Sequence, residues 1–391
     1  MANCNTQEGR LQRTPCVAPP LKHDCGPKCC EPNVASLIDT ANPGGYPYLA
    51  VMRLSCLLPV VLALSAAGQA VKPYTPPKTP WGDPDLQGVW PGTDMVGTPL
   101  ERARSFGTRN VLTGEEYAQR QGRAQNQATI DSQETVNAIT RCNPNRGGLG
   151  NTPTTCSNGV SIGPPLYWDD RGKPNRQASL IVDPPDGRIP ELTAQAQTLQ
   201  AERAAARRAR PCSTVAGGCH DTYEDDSLWD RCITRGAVGS IVPNTYNQGN
   251  QIVQTPGYVI LRNEMIHETR IIPLDGRPHA PSSIRTWMGD SRGHWEGNAL
   301  VVETTNFNGR DVIAGTPVTD ALRLVERFTR TDPNILEYRL TIEDPNTWSK
   351  PWTVSFPLRH DPSYTLYEYA CHEGNHYMYN ALTGARKVEA K

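Results

Sequence analysis

Two carboxylates and two imidazoles in the C-terminal part of the chain have the chemistry of general acids and bases. Glu326 alternates with apolar residues along a predicted strand, so its carboxylate should face the core. A carboxylate there needs a partner or has a raised pKa. The sequence leaves open a functional role, a buried ion pair, or a strand end that faces water. If the protein is an enzyme, the catalytic candidates are Glu326, His267, His294 and Glu373.

The histidines have sequence neighbours that allow either a structural role or a role as a base or metal ligand. His267 lies among apolar neighbours on a predicted strand, where it is either a hydrogen-bonded core residue or a base. His372 and His376 are separated by three residues, a spacing that binds zinc on a helix. A Gly-Asn pair between them favours a turn, and the arrangement is not HExxH. We therefore predict no metal ion and no cofactor.

The segment 285–296 combines two tryptophans with five charged or imidazole side chains. This composition suits the mouth of a site for a polar, stacking ligand such as a sugar. It suits equally a loop that is held by Arg–Asp pairs beneath a Trp lid. The ligand-binding candidates, inside and outside this segment, are Tyr258, Arg262, Arg285, Trp287, Asp290, Trp295 and His372.

From Gln251 onward, apolar and polar residues alternate in runs that end at turn formers such as Asp275-Gly276. A period of two is typical of half-buried antiparallel strands. We therefore predict a mainly β fold, an antiparallel up-and-down meander closed into an eight-stranded lipocalin-like barrel, since closure leaves no exposed edges. A two-sheet sandwich is the main alternative. The predicted strands are 251–262, 265–272, 284–288, 299–305, 322–330, 335–343, 351–358 and 365–371.

The rest of the chain divides by composition into three further regions. Residues 1–51 have no apolar periodicity and are predicted to be a disordered or mis-called extension, although Cys25, Cys29 and Cys30 have a spacing that could bind a metal. Residues 52–70 are a predicted signal peptide. Residues 71–250 form a loop-rich wrap before the barrel domain, 251–391. This wrap should hold short strands at 86–90 and 179–182 and helices at 113–128 and 192–210.

The signal peptide is predicted from the run MRLSCLLPVVLALSAAGQA, which begins at Met52. One Arg, about fourteen mostly apolar residues and small residues before the cut are the layout of a secretory signal, and the apolar run is too short for a transmembrane anchor. We expect cleavage near Ala67 or Ala70 and a periplasmic or secreted protein. In an oxidising compartment the six remaining cysteines should form disulfides. Of the fifteen possible pairings, proximity favours Cys142–Cys156 and Cys212–Cys219 as short local loops, which leaves Cys232–Cys371 as a long-range bond.

Several long motifs occur together after the signal peptide. They include DLQGVW (85–90), LWDRCITRG (228–236), GDSRGHWEGNALVVETTNF (289–307) and EYACHEGN (368–375). With these motifs the mature chain resembles a family of secreted bacterial proteins with no assigned activity, which implies export but no catalytic residues. Gly88-Val89-Trp90 also resembles the Gly-x-Trp of lipocalin first strands, although about 160 residues separate it from the meander.

The composition and motifs exclude some functions and leave three open. The 39 Lys and Arg balance 40 Asp and Glu, which argues against nucleic acid as a partner. No GxGxxG loop, Walker A motif or CxxCH haem site occurs. The leading hypothesis is binding of a small, partly apolar molecule in or at the mouth of the barrel. The alternatives are an extracytoplasmic hydrolase or lyase acting on a carbohydrate or other small organic substrate, and a structural envelope protein.

Overall fold

A computed structural model describes residues 74–132, 172–210, 212 and 219–390, all within one compact unit, Gln69–Lys391. The predicted N-terminal extension, the signal peptide and the pair Cys142–Cys156 lie outside these residues. None of the helices in the described part has the length and hydropathy of a membrane span.

The segment before residue 250 forms helices where the sequence predicts them. Thr113 begins α1, Gly114–Ser132, with a reciprocal cap: its Oγ1 accepts the Glu116 N–H at 3.2 Å, and the Glu116 carboxylate accepts the Thr113 N–H at 2.8 Å. Thr193 caps α2, Ala194–Ala209, by accepting the N–H of Ala196. A one-turn helix, α3, spans Gly236–Gly239.

The strands pair antiparallel throughout, as the alternating sequence predicts. Their bounds are β1 (Gly88–Val89), β2 (Ile181–Asp183), β3 (Asn250–Thr255), β4 (Tyr258–Asn263), β5 (Thr269–Pro273), β6 (Asp290–Glu296), β7 (Ala299–Thr305), β8 (Val312–Ile313), β9 (Thr316–Pro317), β10 (Arg323–Asp332), β11 (Ile335–Glu343) and β12 (Trp352–Arg359). A C-terminal helix that the sequence analysis missed, α4, spans Tyr377–Glu389.

The strands form open sheets, and no closed barrel occurs among the described residues. One sheet has the order β1-β3-β4-β5, a second has the order β2-β12-β11-β10-β7-β6, and β8 pairs with β9. The hydrogen-bonded ladder is interrupted between β5 and β6, which the long connection 274–289 joins. The mainly β, antiparallel prediction is therefore confirmed, whereas the eight-stranded lipocalin-like barrel is not. Two short strands from before residue 190 extend the sheets at their edges.

Three of the predicted strands were wrong in position, and a fourth, 365–371, is not a strand. The turn Pro256-Gly257 divides 251–262 into β3 and β4. The segment 265–272 becomes strand only from Thr269, because Met265–His267 form a 3₁₀ turn. The segment 284–288 makes a single bridge, Thr286 to Phe307, and the edge strand begins at Asp290 instead.

The two larger sheets share one hydrophobic core, and a buried ion pair lies inside it. Arg270 of β5 donates from Nη1 and Nη2 to the two carboxylate oxygens of Glu326 on β10, at 2.5 and 2.8 Å. The Tyr338 hydroxyl donates to the same carboxylate at 2.9 Å. Both charged side chains are at most 3% exposed. Of the settings left open by the sequence, Glu326 therefore occupies the buried ion pair, which links one sheet to the other.

Removing one partner of this pair should destabilise the protein strongly. Glu326→Leu leaves the Arg270 guanidinium buried without its counter-charge, so we expect a loss of about 3–5 kcal/mol in the free energy of unfolding, measured by urea denaturation. The control is Arg327→Gln on the same strand, which breaks the half-exposed pair with Glu296 (2.8 Å) and should cost at most about 1 kcal/mol. Equal losses in the two variants would contradict a structural role for the buried pair.

Candidate functional site

A disulfide joins the turn before α3 to the C-terminal segment. Cys232 and Cys371 are bonded although 139 residues separate them, and their Cα atoms lie 5.7 Å apart. The second disulfide in the described residues joins Cys212 and Cys219. Two of the three predicted pairings are therefore confirmed. The long-range bond places residues 361–376, which we call the C-terminal strap, beside residues 229–236.

The C-terminal strap takes the place of the predicted strand 365–371. Its backbone is held by a side chain instead of a neighbouring strand: Glu264, only 3% exposed, accepts the Tyr364 hydroxyl at 2.7 Å and the Tyr367 N–H at 3.1 Å. The same carboxylate accepts the N–H of Gly249 and the side-chain amide of Asn247, both at 3.1 Å. Four donors thus satisfy the Glu264 carboxylate. The alternation of residues along 365–371 is the same for a strap held in this way as for a strand, so the sequence pattern alone could not distinguish them.

Two half-buried carboxyl groups converge on the turn at residues 234–236, and we call Glu268 and Asp311 the acid pair. Glu268, immediately before β5, accepts a hydrogen bond from the Thr234 hydroxyl. The Thr234 hydroxyl oxygen in turn accepts the Gly236 N–H at 2.9 Å. Asp311 lies against Gly236 so closely that a Cβ there would come within 2.0 Å of its Oδ2. Gly236 also has φ +75°, so glycine meets both a conformational and a steric requirement.

The two carboxyl groups differ in how their charged forms are supported. Burial raises the pKa of Asp311 to about 6, and the nearby charge of Glu268 contributes, against one hydrogen bond from the Val312 N–H at 2.8 Å. Burial also raises the pKa of Glu268, but hydrogen bonds from the Thr234 hydroxyl and the Arg235 N–H favour its ionised form. Of the two, Glu268 is therefore the better stabilised as a carboxylate, and Asp311 Oδ2 accepts no hydrogen bond within the described structure.

Arg235 lies between these residues in sequence, but its side chain enters an aromatic cluster. Its guanidinium carbon lies 4.1 Å from the centre of the Trp229 ring, and the Tyr246 ring stacks near Trp229 with centroids 6.3 Å apart. Tyr369 of the C-terminal strap accepts the Trp229 Nε1–H at 3.0 Å and hydrogen bonds to Tyr246. With Met265, whose sulfur accepts from Arg235 Nη1 at 3.4 Å, these residues form what we call the Arg235 cluster.

The Arg235 cluster has an unusual charge balance. Burial lowers the pKa of the Arg235 guanidinium, yet no carboxylate of the described residues pairs with it. In the described part of the chain, Nε and Nη2 of Arg235 donate to no acceptor. Neither atom is fully buried, so solvent reaches both. A half-buried cation with two open donors is suited to hold an anion.

The four catalytic candidates from the sequence do not converge. Glu326 is enclosed by its ion pair in the core. His267, predicted among apolar neighbours, is exposed with φ +44°, because it ends the 3₁₀ turn, and its Nδ1 lies 3.1 Å from the Tyr369 carbonyl oxygen. His294 is exposed and pairs with Glu296. No hydrogen bond or ion pair of the described residues links any two of the four, and Glu373 is exposed on the strap.

Most ligand-binding candidates of segment 285–296 are engaged in local contacts. Asp290 accepts from Arg292 at 2.6 Å and lies 3.0 Å from His279. Arg285 donates to the Asp320 carbonyl at 2.8 Å. Trp295 packs against the core, and Trp287 is half-buried. These contacts correspond to the alternative of a loop held by Arg–Asp pairs.

The remaining ligand-binding candidates are exposed, and no hydrogen bond or ion pair of the described residues joins them. Tyr258 begins β4 and accepts from Arg277 at 3.2 Å, and Arg262 lies near the end of the same strand. His372 is exposed beside the disulfide, on the strap. Within the described residues no group of three His, Cys, Asp or Glu side chains is arranged to hold a metal ion.

Sequence reasoning missed the residues that do cluster. Thr234, Arg235 and Gly236 lie in the motif LWDRCITRG, which was noted without a role. Glu268 lies within the predicted strand 265–272 but is not among the candidate residues, and Asp311 follows no recognisable pattern. The available signal was the combination of a polar turn with Cys232, whose predicted disulfide brings an aromatic C-terminal segment to the same place.

Gly236→Ala should disrupt the acid pair. The new methyl group would overlap Asp311 Oδ2, so we expect a loss of about 2–4 kcal/mol in unfolding free energy. Gly276→Ala is the control, because Gly276 has nearly the same φ of +72° and open space around the added Cβ; it should cost only about 1–2 kcal/mol. The double variant Gly236→Ala/Asp311→Ala should recover part of the difference, measured by urea denaturation. Equal costs for the two single alanine variants would contradict the close contact.

Comparison with known proteins adds no further identification. No model of a known protein family matches the chain, and neither a curated protein sequence nor a solved structure gives a significant match. The candidate site therefore has to be interpreted from its own chemistry.

Proposed function

We propose that the protein is an exported enzyme that performs acid–base chemistry, of hydrolase or lyase type, on a small organic substrate at the acid pair. The observation that carries this proposal is the convergence of Glu268 and Asp311 on one turn, both half-buried. Acid–base sites typically contain two carboxyl groups whose surroundings favour the protonated form of one and the ionised form of the other. A carbohydrate is one example of such a small organic substrate.

The surroundings assign different roles to the two groups. Burial raises the pKa of Asp311 to about 6, which favours its protonated form below that pH, so we assign it as the proton donor. Glu268 receives two hydrogen bonds that favour the carboxylate, so we assign it as the base. The Thr234 hydroxyl, bonded to Glu268, is positioned to orient that base.

Binding without catalysis is the second candidate function, and the Arg235 cluster favours it. An apolar aromatic surface with one polar anchor is the arrangement expected of a small-molecule site. A ligand inside a barrel has less support, because the space between the two larger sheets is occupied by core side chains and the Arg270–Glu326 pair.

Export is part of the proposal, and the two disulfides of the described residues support an oxidising compartment. Intact mass spectrometry of the protein from the exported fraction should give a chain that begins near Gly68 or Val71. The mass should rise by about two hydrogens per disulfide on reduction. A chain that retains residues 1–51 with free thiols would overturn the assigned compartment.

The catalytic proposal is tested with a panel of chromogenic glycosides, esters and lactones, each with and without a carboxylate substituent. Any activity found should fall by about 10²-fold or more in Asp311→Asn and in Glu268→Gln, since each loses a proton-transfer group. The control is Asp332→Asn at the exposed end of β10, where the amide can still accept the Asn334 N–H; it should retain wild-type activity. Full activity in Asp311→Asn would refute its role.

The Asp311→Asn variant should also change how the free energy of unfolding depends on pH. Since the pKa of Asp311 is raised in the folded state from an ordinary value of 3.8 to about 6, its protonated form stabilises the fold. This stabilisation is complete below about pH 4 and is lost as the pH rises through about 6. Asp311→Asn should abolish that part of the pH dependence of unfolding, and wild-type kcat/KM should decline over the same interval as the proton donor ionises.

A further inference from the structure

The open edge of Arg235 has the geometry of a carboxylate receptor. Nη1 faces the Met265 sulfur, and one face of the guanidinium lies over Trp229. The remaining donors, Nε and Nη2, lie along one side of the planar group and present two parallel N–H bonds. A carboxylate can accept both at once, which a single point acceptor cannot do.

The Arg235 cluster carries one positive charge, which a ligand with a single negative charge would balance. Arg235 is the only charged side chain that the Arg235 cluster contributes among the described residues. Burial raises the pKa of Tyr246, so its hydroxyl remains neutral at physiological pH. The carboxyl group of Glu268 accepts the Arg235 backbone N–H but does not bond to the guanidinium. One bound carboxylate would therefore neutralise the half-buried cation.

The walls of the cluster determine what the rest of the ligand resembles. Trp229, Tyr246 and Tyr369 each remain partly exposed, and together they offer aromatic surface next to the open guanidinium edge. Aromatic rings favour offset or edge contacts with planar apolar groups. A purely inorganic anion would leave this surface unused.

We propose that Arg235 binds the carboxylate of a small monocarboxylic acid, whose planar or apolar body contacts Trp229, Tyr246 and Tyr369. This inference names the substrate class of the proposed enzyme, and it rests on the proposed function only for the claim that the bound acid reacts. The 234–236 turn links the two sites, because Thr234 and Gly236 contact the acid pair and Arg235 lies between them in sequence.

Binding is measured first on the wild-type full chain, by isothermal titration and by the tryptophan fluorescence of the protein. The probes are benzoate, its neutral amide benzamide, and inorganic phosphate. Benzoate should bind saturably and alter the fluorescence, whereas benzamide and phosphate should bind at least about tenfold more weakly, since each lacks either the charge or the aromatic body. Equal binding of benzoate and benzamide, or no binding of benzoate, would overturn the inference.

Variants then locate the binding. Arg235→Gln should weaken benzoate binding by about 10- to 100-fold, and Arg235→Lys should recover only part, because an ammonium group lacks the paired donors. The control is Arg339→Gln, an exposed arginine on β11, which should bind benzoate as the wild type does. Unchanged binding in folded Arg235→Gln, checked by circular dichroism, would overturn the inference.

The two proposals fail differently. Asp311→Asn should retain benzoate binding while it loses turnover. If benzoate binding depends on Arg235 but no substrate is turned over, the carboxylate site stands and the enzymatic function fails. If turnover depends on Asp311 while Arg235→Gln leaves both KM and benzoate binding unchanged, the acid pair stands and the carboxylate site fails.

Discussion

The contact between the Arg270 guanidinium and the Glu326 carboxylate connects the two larger sheets at a place where neither sheet can hydrogen bond to the other. The four-stranded sheet ends at β5 and the six-stranded sheet at β6. A buried ion pair contributes little net stability compared with apolar packing, but it requires its partners to meet in one geometry. It therefore fixes the position of β5 relative to β10.

That constraint extends to the candidate site through the chain. Glu268 precedes Arg270 by two residues, so the residue that fixes β5 also sets where Glu268 lies. From the other side, the turn before α3 supplies three consecutive residues with separate tasks: Thr234 orients Glu268, Arg235 enters the aromatic cluster, and Gly236 accommodates Asp311. A single short turn thus connects the acid pair with the Arg235 cluster.

The sequence predicted the parts of the fold that follow local rules. The strands β10, β11 and β12 alternate large apolar residues with polar ones along most of their length, and the caps Thr113 and Thr193 mark their helices. Whether the strands close into a barrel or form open sheets could not be predicted. Alternation shows which face of a strand is buried but not whether its edge finds a partner.

The candidate site was harder to predict for a related reason. Glu326 was singled out because it interrupts an apolar face, and that logic finds buried charges without distinguishing structural pairs from catalytic groups. Asp311 and Arg235 interrupt no pattern, since both lie in irregular segments. Their roles depend on contacts between residues that are far apart in the chain, such as Gly236 with Asp311.

The disulfide between Cys232 and Cys371 also sets an order of assembly. Tyr369, which completes the aromatic cluster around Arg235, reaches its place only as part of the strap that Cys371 and Glu264 hold. During synthesis the turn at 234–236 is produced long before residues 364–371. The Arg235 cluster therefore stays incomplete until residues 364–371 have been synthesised and the Cys232–Cys371 bond can form.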